Sequence, residues 1–148
     1  MLEYKRIYVA LDGSRESEYA FYRAMAICKR NEGSQLIGIY VLEKSYRMNL
    51  AEMVDPEVFR ESEQFAKTIL TTYTQLAASK NIPFELKIKE GSPTSTLLKE
   101  FKALHIDDLV ICGKAELGRI AQLIFGSISK SIVAEASCDV LVVRSPEN

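Results

Sequence analysis

The sequence predicts an α/β domain, Rossmann-like, built on an open parallel sheet with helices on both faces. Three observations point there. Short apolar runs alternate with stretches of helical periodicity along the chain. One of these runs, Leu36 to Leu42, is apolar on both faces, as a strand covered on both sides must be. No Pro/Gly/Ser-rich linker, repeat or low-complexity segment divides the 148 residues, so residues 1–148 are read as a single domain.

Ile7 to Leu11 reads as the first strand, ending in the turn cluster Asp12-Gly13-Ser14. Ser14 is placed to cap a helix running to about Arg30, with Phe21, Ala24, Met25 and Cys28 on one face. Leu36 to Leu42 is the second strand. A less regular stretch, Glu43 to Asp55, precedes Pro56, which suits a first helical position. That helix ends near Lys80 and carries Val58, Phe65, Ile69 and Leu76 on one stripe. In the third strand, Phe84 to Lys89, the residues Phe84, Leu86 and Ile88 alternate with Glu85, Lys87 and Lys89. That half-polar pattern places it near a sheet edge. Ser92-Pro93 opens a third helix with Leu97, Leu98, Phe101 and Leu104 inward. Leu109 to Cys112 is the fourth strand, and Gly113 to Phe125 a loop with some helical character. Ser127 caps a last helix carrying Ile128, Ile132, Val133 and Ala136, and Val140 to Val143 is the fifth strand. The crossovers are expected to be right-handed. Alternation alone leaves the strand order open. In open sheets of this kind ligands bind beyond the carboxyl ends of the strands, where the order reverses.

Composition narrows the partners. Hydrophobic residues make up 47% and charged residues 26%, an ordinary globular balance. With a formal net charge of -1 and no run of like charges, neither nucleic acid nor an anionic membrane is expected as a partner. The three cysteines, Cys28, Cys112 and Cys138, are widely spaced, none forms a CxxC pair, and His105 is the only histidine. A disulfide framework or zinc site is therefore not expected. Free thiols fit a reducing compartment. The start, MLEYKRIYVALDGS, does not read as a signal peptide, and the longest apolar stretch is too short to span a bilayer. The expected location is cytoplasmic.

Two places at strand carboxyl ends carry candidate chemistry. The first is Asp12-Gly13-Ser14. The second is Gly113, followed by Gly126-Ser127 at the start of the last helix. Each also has a plain structural role: Asp-Gly-Ser is a common turn, and serine is a good N-cap. Together they say more. A helix beginning Gly126-Ser127-Ile128-Ser129 offers free backbone N–H groups, two hydroxyls and the positive end of the helix dipole, a ready anion site. Gly113 lets a ligand approach the backbone, and Asp12 can accept from ribose hydroxyls or help hold a metal. No GxxxxGK[ST], GxGxxG or GxSxG motif occurs. Cys112 lies at the candidate site, where packing is its simpler role, and the same holds for Tyr40 and Tyr46. A triad would have to be built on His105, beside Asp107 and Asp108; a place at a helix end suits it better.

The chain resembles the universal stress protein family. The resemblance rests on Val9-Ala10-Leu11-Asp12-Gly13-Ser14, Glu90-Gly91-Ser92-Pro93, Asp108-Leu109-Val110-Ile111-Cys112-Gly113, Gly126-Ser127-Ile128-Ser129 and Asp139-Val140-Leu141-Val142-Val143, in that order. It implies five strands in the order 3-2-1-4-5 and a dimer. The ATP-binding branch carries a glycine, two residues, a second glycine, nine residues, then Gly-Ser/Thr. Gly113 and Gly126-Ser127 match; Glu116 replaces the second glycine, and Ala115 stands where such members often have a polar or basic side chain. By resemblance, Asp12 and the backbone near Val41 lie beside ribose and adenine, while Gly113, Gly126, Ser127 and Ser129 hold phosphates. With the neighbouring Cys112, Glu116 and Ile128 these form the candidate set for ATP or another adenine nucleotide, with Glu116 or Asp12 as candidate contacts to a Mg²⁺.

Glu116 is the departure that matters. A unit charge at ~4 Å from a phosphate charge costs about 4 kcal/mol at an effective dielectric of ~20, and about 1 kcal/mol in water. Turning outward, sharing a Mg²⁺ with the phosphates, or compensation by Lys114, Arg119 and Lys130 would each relieve it. Three functions are open: a nucleotide-binding regulatory module of the stress response, a dimeric interaction protein that has lost the nucleotide, and, third, a slow ATPase without an evident general base. In each, Val140, Leu141, Val142 and Val143 form an apolar strand that, at a sheet edge, is best covered by the same strand of a second copy.

Overall fold

A computed structural model describes residues 3–42, 56–113, 136–144 and 146. The expected irregular stretch Glu43 to Asp55, with Tyr46, lies outside them. So do the Val58 side chain and residues 114–135, which include the expected last helix. The described elements are β1 (Arg6–Leu11), α1 (Arg15–Arg30), β2 (Gln35–Leu42), α2 (Pro56–Ser79), β3 (Phe84–Glu90), α3 (Pro93–Lys102), β4 (Asp108–Gly113) and β5 (Asp139–Val143). All four strand pairings are parallel, and the sheet order is β3-β2-β1-β4-β5. The expected α/β class and the 3-2-1-4-5 order are both present. No described helix is long and apolar enough to cross a membrane.

The sheet is covered twice, and β1 shows how. Its alternate residues enter two separate cores. Ile7, Val9 and Leu11 pack with Phe21 and Ala24 of α1 and with Ile69 and Tyr73 of α2. Tyr8 and Ala10 pack on the other face with Leu97 and Phe101 of α3 and with Val110 and Cys112 of β4. A strand used on both faces has no polar side to show, which is why its sequence is continuously apolar.

The α2 stripe differs from the sequence expectation. Its buried residues are Ala66, Ile69, Tyr73 and Ala77, whereas Phe65 is 49% exposed. The two alanines let the helix lie close to the sheet. Phe65 stands at the edge of that stripe, one turn before Ile69, about 40° of helix rotation from Ile69 and about 85° from the stripe's centre. Tyr73 completes the core by meeting Phe21 edge-on at 4.8 Å. β3 lies at an edge of the sheet, as its half-polar pattern implies, and its last apolar residue, Ile88, is largely exposed.

Gly38 in the middle of β2 is required for space. A Cβ there would stand 2.8 Å from Leu11 Cδ1, 2.9 Å from Phe84 Cζ and 3.0 Å from Leu86 Cδ1. Gly38→Ala is expected to lower stability by about 1–3 kcal/mol, the cost of overfilling a packed core. Urea denaturation reads this directly, and an unchanged midpoint would contradict it.

Candidate functional site

The strand order reverses between β1 and β4, and the registers bring the expected nucleoside-end residues to that point. Leu11 pairs with Tyr40, so the next residues, Asp12 and Val41, come level at the carboxyl ends of β1 and β2. Val9 pairs with Ile111, and the same register carried two residues further sets Leu11 level with Gly113. Asp12, Val41, Cys112 and Gly113 thus gather at one end of three adjacent strands. Cys112 is buried in the core on the α3 side, as its packing role implies. Glu116, Gly126, Ser127, Ile128 and Ser129 lie outside the described residues.

The turn after β1 is tied through its polar groups. Asp12 Oδ1 accepts the Ser14 backbone N–H at 2.9 Å. Ser14 is the N-cap of α1, and its Oγ accepts the Ser17 N–H at 3.2 Å. Ser17 Oγ donates to the Ser14 carbonyl at 3.0 Å, accepts the Asp12 N–H at 3.4 Å and lies 3.5 Å from the Tyr73 hydroxyl. Gly13 adopts φ +83°, a conformation open to glycine at little cost. Ser17, fully buried, was not singled out by the sequence reading; a serine four residues before Phe21 on the buried stripe of α1 is the signal that marks it. A carboxylate has about four acceptor sites, so Asp12 can serve this turn and still accept a ribose hydroxyl.

The electrostatics of the α1 start bear on where an anion can sit. Glu16 and Glu18 occupy the first turn of α1 and already complement its dipole. That end is a poor place for a further anion.

The opposite end of the sheet is occupied by ion pairs. Arg6 Nε meets Asp108 Oδ1 at 3.0 Å, and the carboxylate, 1% exposed, also accepts the His105 N–H at 2.9 Å. Tyr4 donates to Asp139 at 2.8 Å. His105 accepts the Asp107 N–H through Nδ1 at 3.2 Å. It follows α3 and stands before β4, about 16 Å from Gly113 at ~3.3 Å per strand residue. His105 therefore stands at the other end of the sheet from Asp12 and Cys112. Burial, aided by the Asp108 and Asp139 carboxylates, pushes the Cys138 thiol up to about 11, the reverse of a reactive cysteine. Among the described residues no group of three His, Cys, Asp or Glu side chains forms a metal cluster.

This geometry, Asp12 and Val41 level at the ends of β1 and β2 with a glycine ending β4, agrees with a family model that matches the chain over residues 3–144, described as the universal stress protein family. The chain belongs to the universal stress protein family. It is 36% identical to a putative universal stress protein of Staphylococcus aureus (strain USA300) over 148 residues, 99% of this chain and 88% of that protein. Among solved structures it is similar to the universal stress protein UspA of Lactobacillus plantarum, with TM-score 0.74 and 26% identity, covering 96% of this chain and 99% of that one. It is also similar to a universal stress protein solved in complex with cAMP, with TM-score 0.63 and 25% identity, covering 95% and 97%.

The turn predicts its own sensitivity. Gly13→Ala forces a side chain into the left-handed region and places a Cβ 2.9 Å from Phe65 Cζ. It is expected to cost about 1–3 kcal/mol, measured as a lowered urea midpoint with native-like circular dichroism. A neutral substitution would mean that the turn is not held as described.

Proposed function

We propose that this universal stress protein is a regulatory module that binds an adenine nucleotide, ATP with Mg²⁺ by its motif, at the strand reversal between β1 and β4. The observation that carries the reading is the gathering of Asp12, Val41 and Gly113 at one end of three neighbouring strands, with Asp12 held by its own turn. The similar protein solved with cAMP supports an adenine nucleotide as the ligand class. Occupancy would alter the segment from Lys114 to Phe125 and so the binding of a protein partner. The reading includes no bond-breaking step.

β5 ends the described sheet on the side opposite β3, and its Val140, Leu141 and Val142 are only half-buried. Pairing with β5 of a second copy would cover that edge. Sedimentation equilibrium is expected to give the mass of two chains; a monomer at tens of micromolar would contradict the dimer.

Calorimetry with ATP and MgCl₂ tests the binding reading. Saturable heat is expected, and Asp12→Ala should weaken it by about tenfold or more, the worth of a hydrogen bond to a charged group. The chain has no tryptophan, so nucleotide carried through purification stands out in the ultraviolet spectrum. No heat and no carried nucleotide would overturn the reading in favour of a dimeric interaction protein. Glu116 favours that second reading, and Glu116→Gly separates the two. If the site has decayed, the substitution creates or tightens binding; if Glu116 shares a metal with the phosphates, binding is lost.

A further inference from the structure

We infer that Phe65 of α2 is a positioning residue for the Asp12 turn, through which the amino-terminal half of α2 senses an occupied site. The sensing part rests on the nucleotide reading above; the positioning part does not.

Phe65 touches the site from behind. A Cβ added to Gly13 would lie 2.9 Å from Phe65 Cζ and 3.0 Å from Ile69 Cδ1, so these two side chains close the space beside the turn. The same ring stands 6.4 Å from the ring of Tyr40, tilted by 54°. Tyr40 pairs with Leu11, so one ring abuts the chain just after β1 and the end of β2 together, one residue away from both Asp12 and Val41.

These contacts set Phe65 apart from the residues that anchor its helix. Ala66, Ile69, Tyr73 and Ala77 carry the buried stripe of α2, whereas Phe65 remains 49% exposed. Its truncation therefore removes a lateral contact more than it opens the core. Gly13 has no side chain with which to hold its own left-handed conformation, φ +83°. On its polar side the turn is fixed by the Asp12–Ser14 hydrogen bond at 2.9 Å. On its apolar side Phe65 and Ile69 are what it meets. A ligand that draws on Asp12 moves Gly13 relative to this ring. By reciprocity, whatever fixes the ring favours the ligand-ready turn.

The test uses Phe65→Ala, Phe65→Leu and, as a control on the exposed face of the same helix, Leu70→Ala. Amide exchange at Gly13 and Ser14, followed by NMR, is expected to speed up several-fold in Phe65→Ala while the Ala24 amide within α1 keeps its wild-type rate. Phe65→Leu should restore most of the protection, and Leu70→Ala should change nothing. ATP affinity, measured by calorimetry with MgCl₂, is expected to fall by about tenfold in Phe65→Ala and to recover in Phe65→Leu. Wild-type exchange at Ser14 in Phe65→Ala would overturn the positioning role. Equal ATP affinity in Phe65→Ala and a wild type that binds would overturn the sensing role. A wild type that binds no ATP overturns the nucleotide reading and the sensing with it, and the exchange rates then decide the positioning role alone.

Discussion

Every feature of the candidate site depends on how β1 leaves the sheet. β1 is flanked by parallel strands on both sides and covered by cores on both faces. Its chain must pass from the sheet to the start of α1 in three residues, Asp12 to Ser14. The solution is a turn in which Asp12 accepts from Ser14, Ser14 caps the helix, and Ser17 closes back on Ser14. Each such bond contributes about 1 kcal/mol net, and together they fix the carboxylate before any ligand arrives. The fold needs this turn for its own stability. A ligand at the strand reversal finds a preorganised acceptor as a consequence.

The two ends of the sheet differ in how their polar side chains are engaged. At the amino ends, Arg6, Asp108, Tyr4 and Asp139 are engaged with one another, and Asp108 is buried with its charge answered. Removing the half-exposed Arg6 would leave the buried Asp108 carboxylate without its countercharge. At the carboxyl ends, Asp12 and Gly113 stand beside backbone that a ligand can approach. The only histidine belongs to the first group, which leaves the second without an imidazole for proton transfer.

Much of this was legible in the sequence, and the exceptions have physical causes. The continuous apolar run of β1, the Asp12-Gly13-Ser14 turn, the half-polar β3 and the proline starts of two helices place the elements closely. The face of α2 was misread at Phe65 because large apolar residues outweigh alanine in a periodicity argument, while close helix-to-sheet packing selects alanine at 66 and 77. Ser17 was passed over because a serine looks polar until the acceptors around it are known. Phe65 against Gly13 is a contact between residues 52 positions apart in the chain, which periodicity cannot report. Strand order came from the family resemblance, since alternation of elements fits several orders equally well. The phosphate contacts expected between Glu116 and Ser129 rest on the family resemblance and lie outside the described residues.

The Asp12 turn and the strand ends form the described part of the proposed site, and the charge at position 116 would bear on how a phosphate chain is received there. The proposed function turns on where a nucleotide would meet the chain. Amide chemical shifts recorded during titration with ATP and MgCl₂ test this most directly. The expected result is a set of shifts centred on Asp12, Gly13, Ser14, Val41, Leu42 and Gly113, with Arg6, His105 and Asp139 unmoved. Shifts centred on the amino ends of the strands, or none at saturating nucleotide, would contradict it.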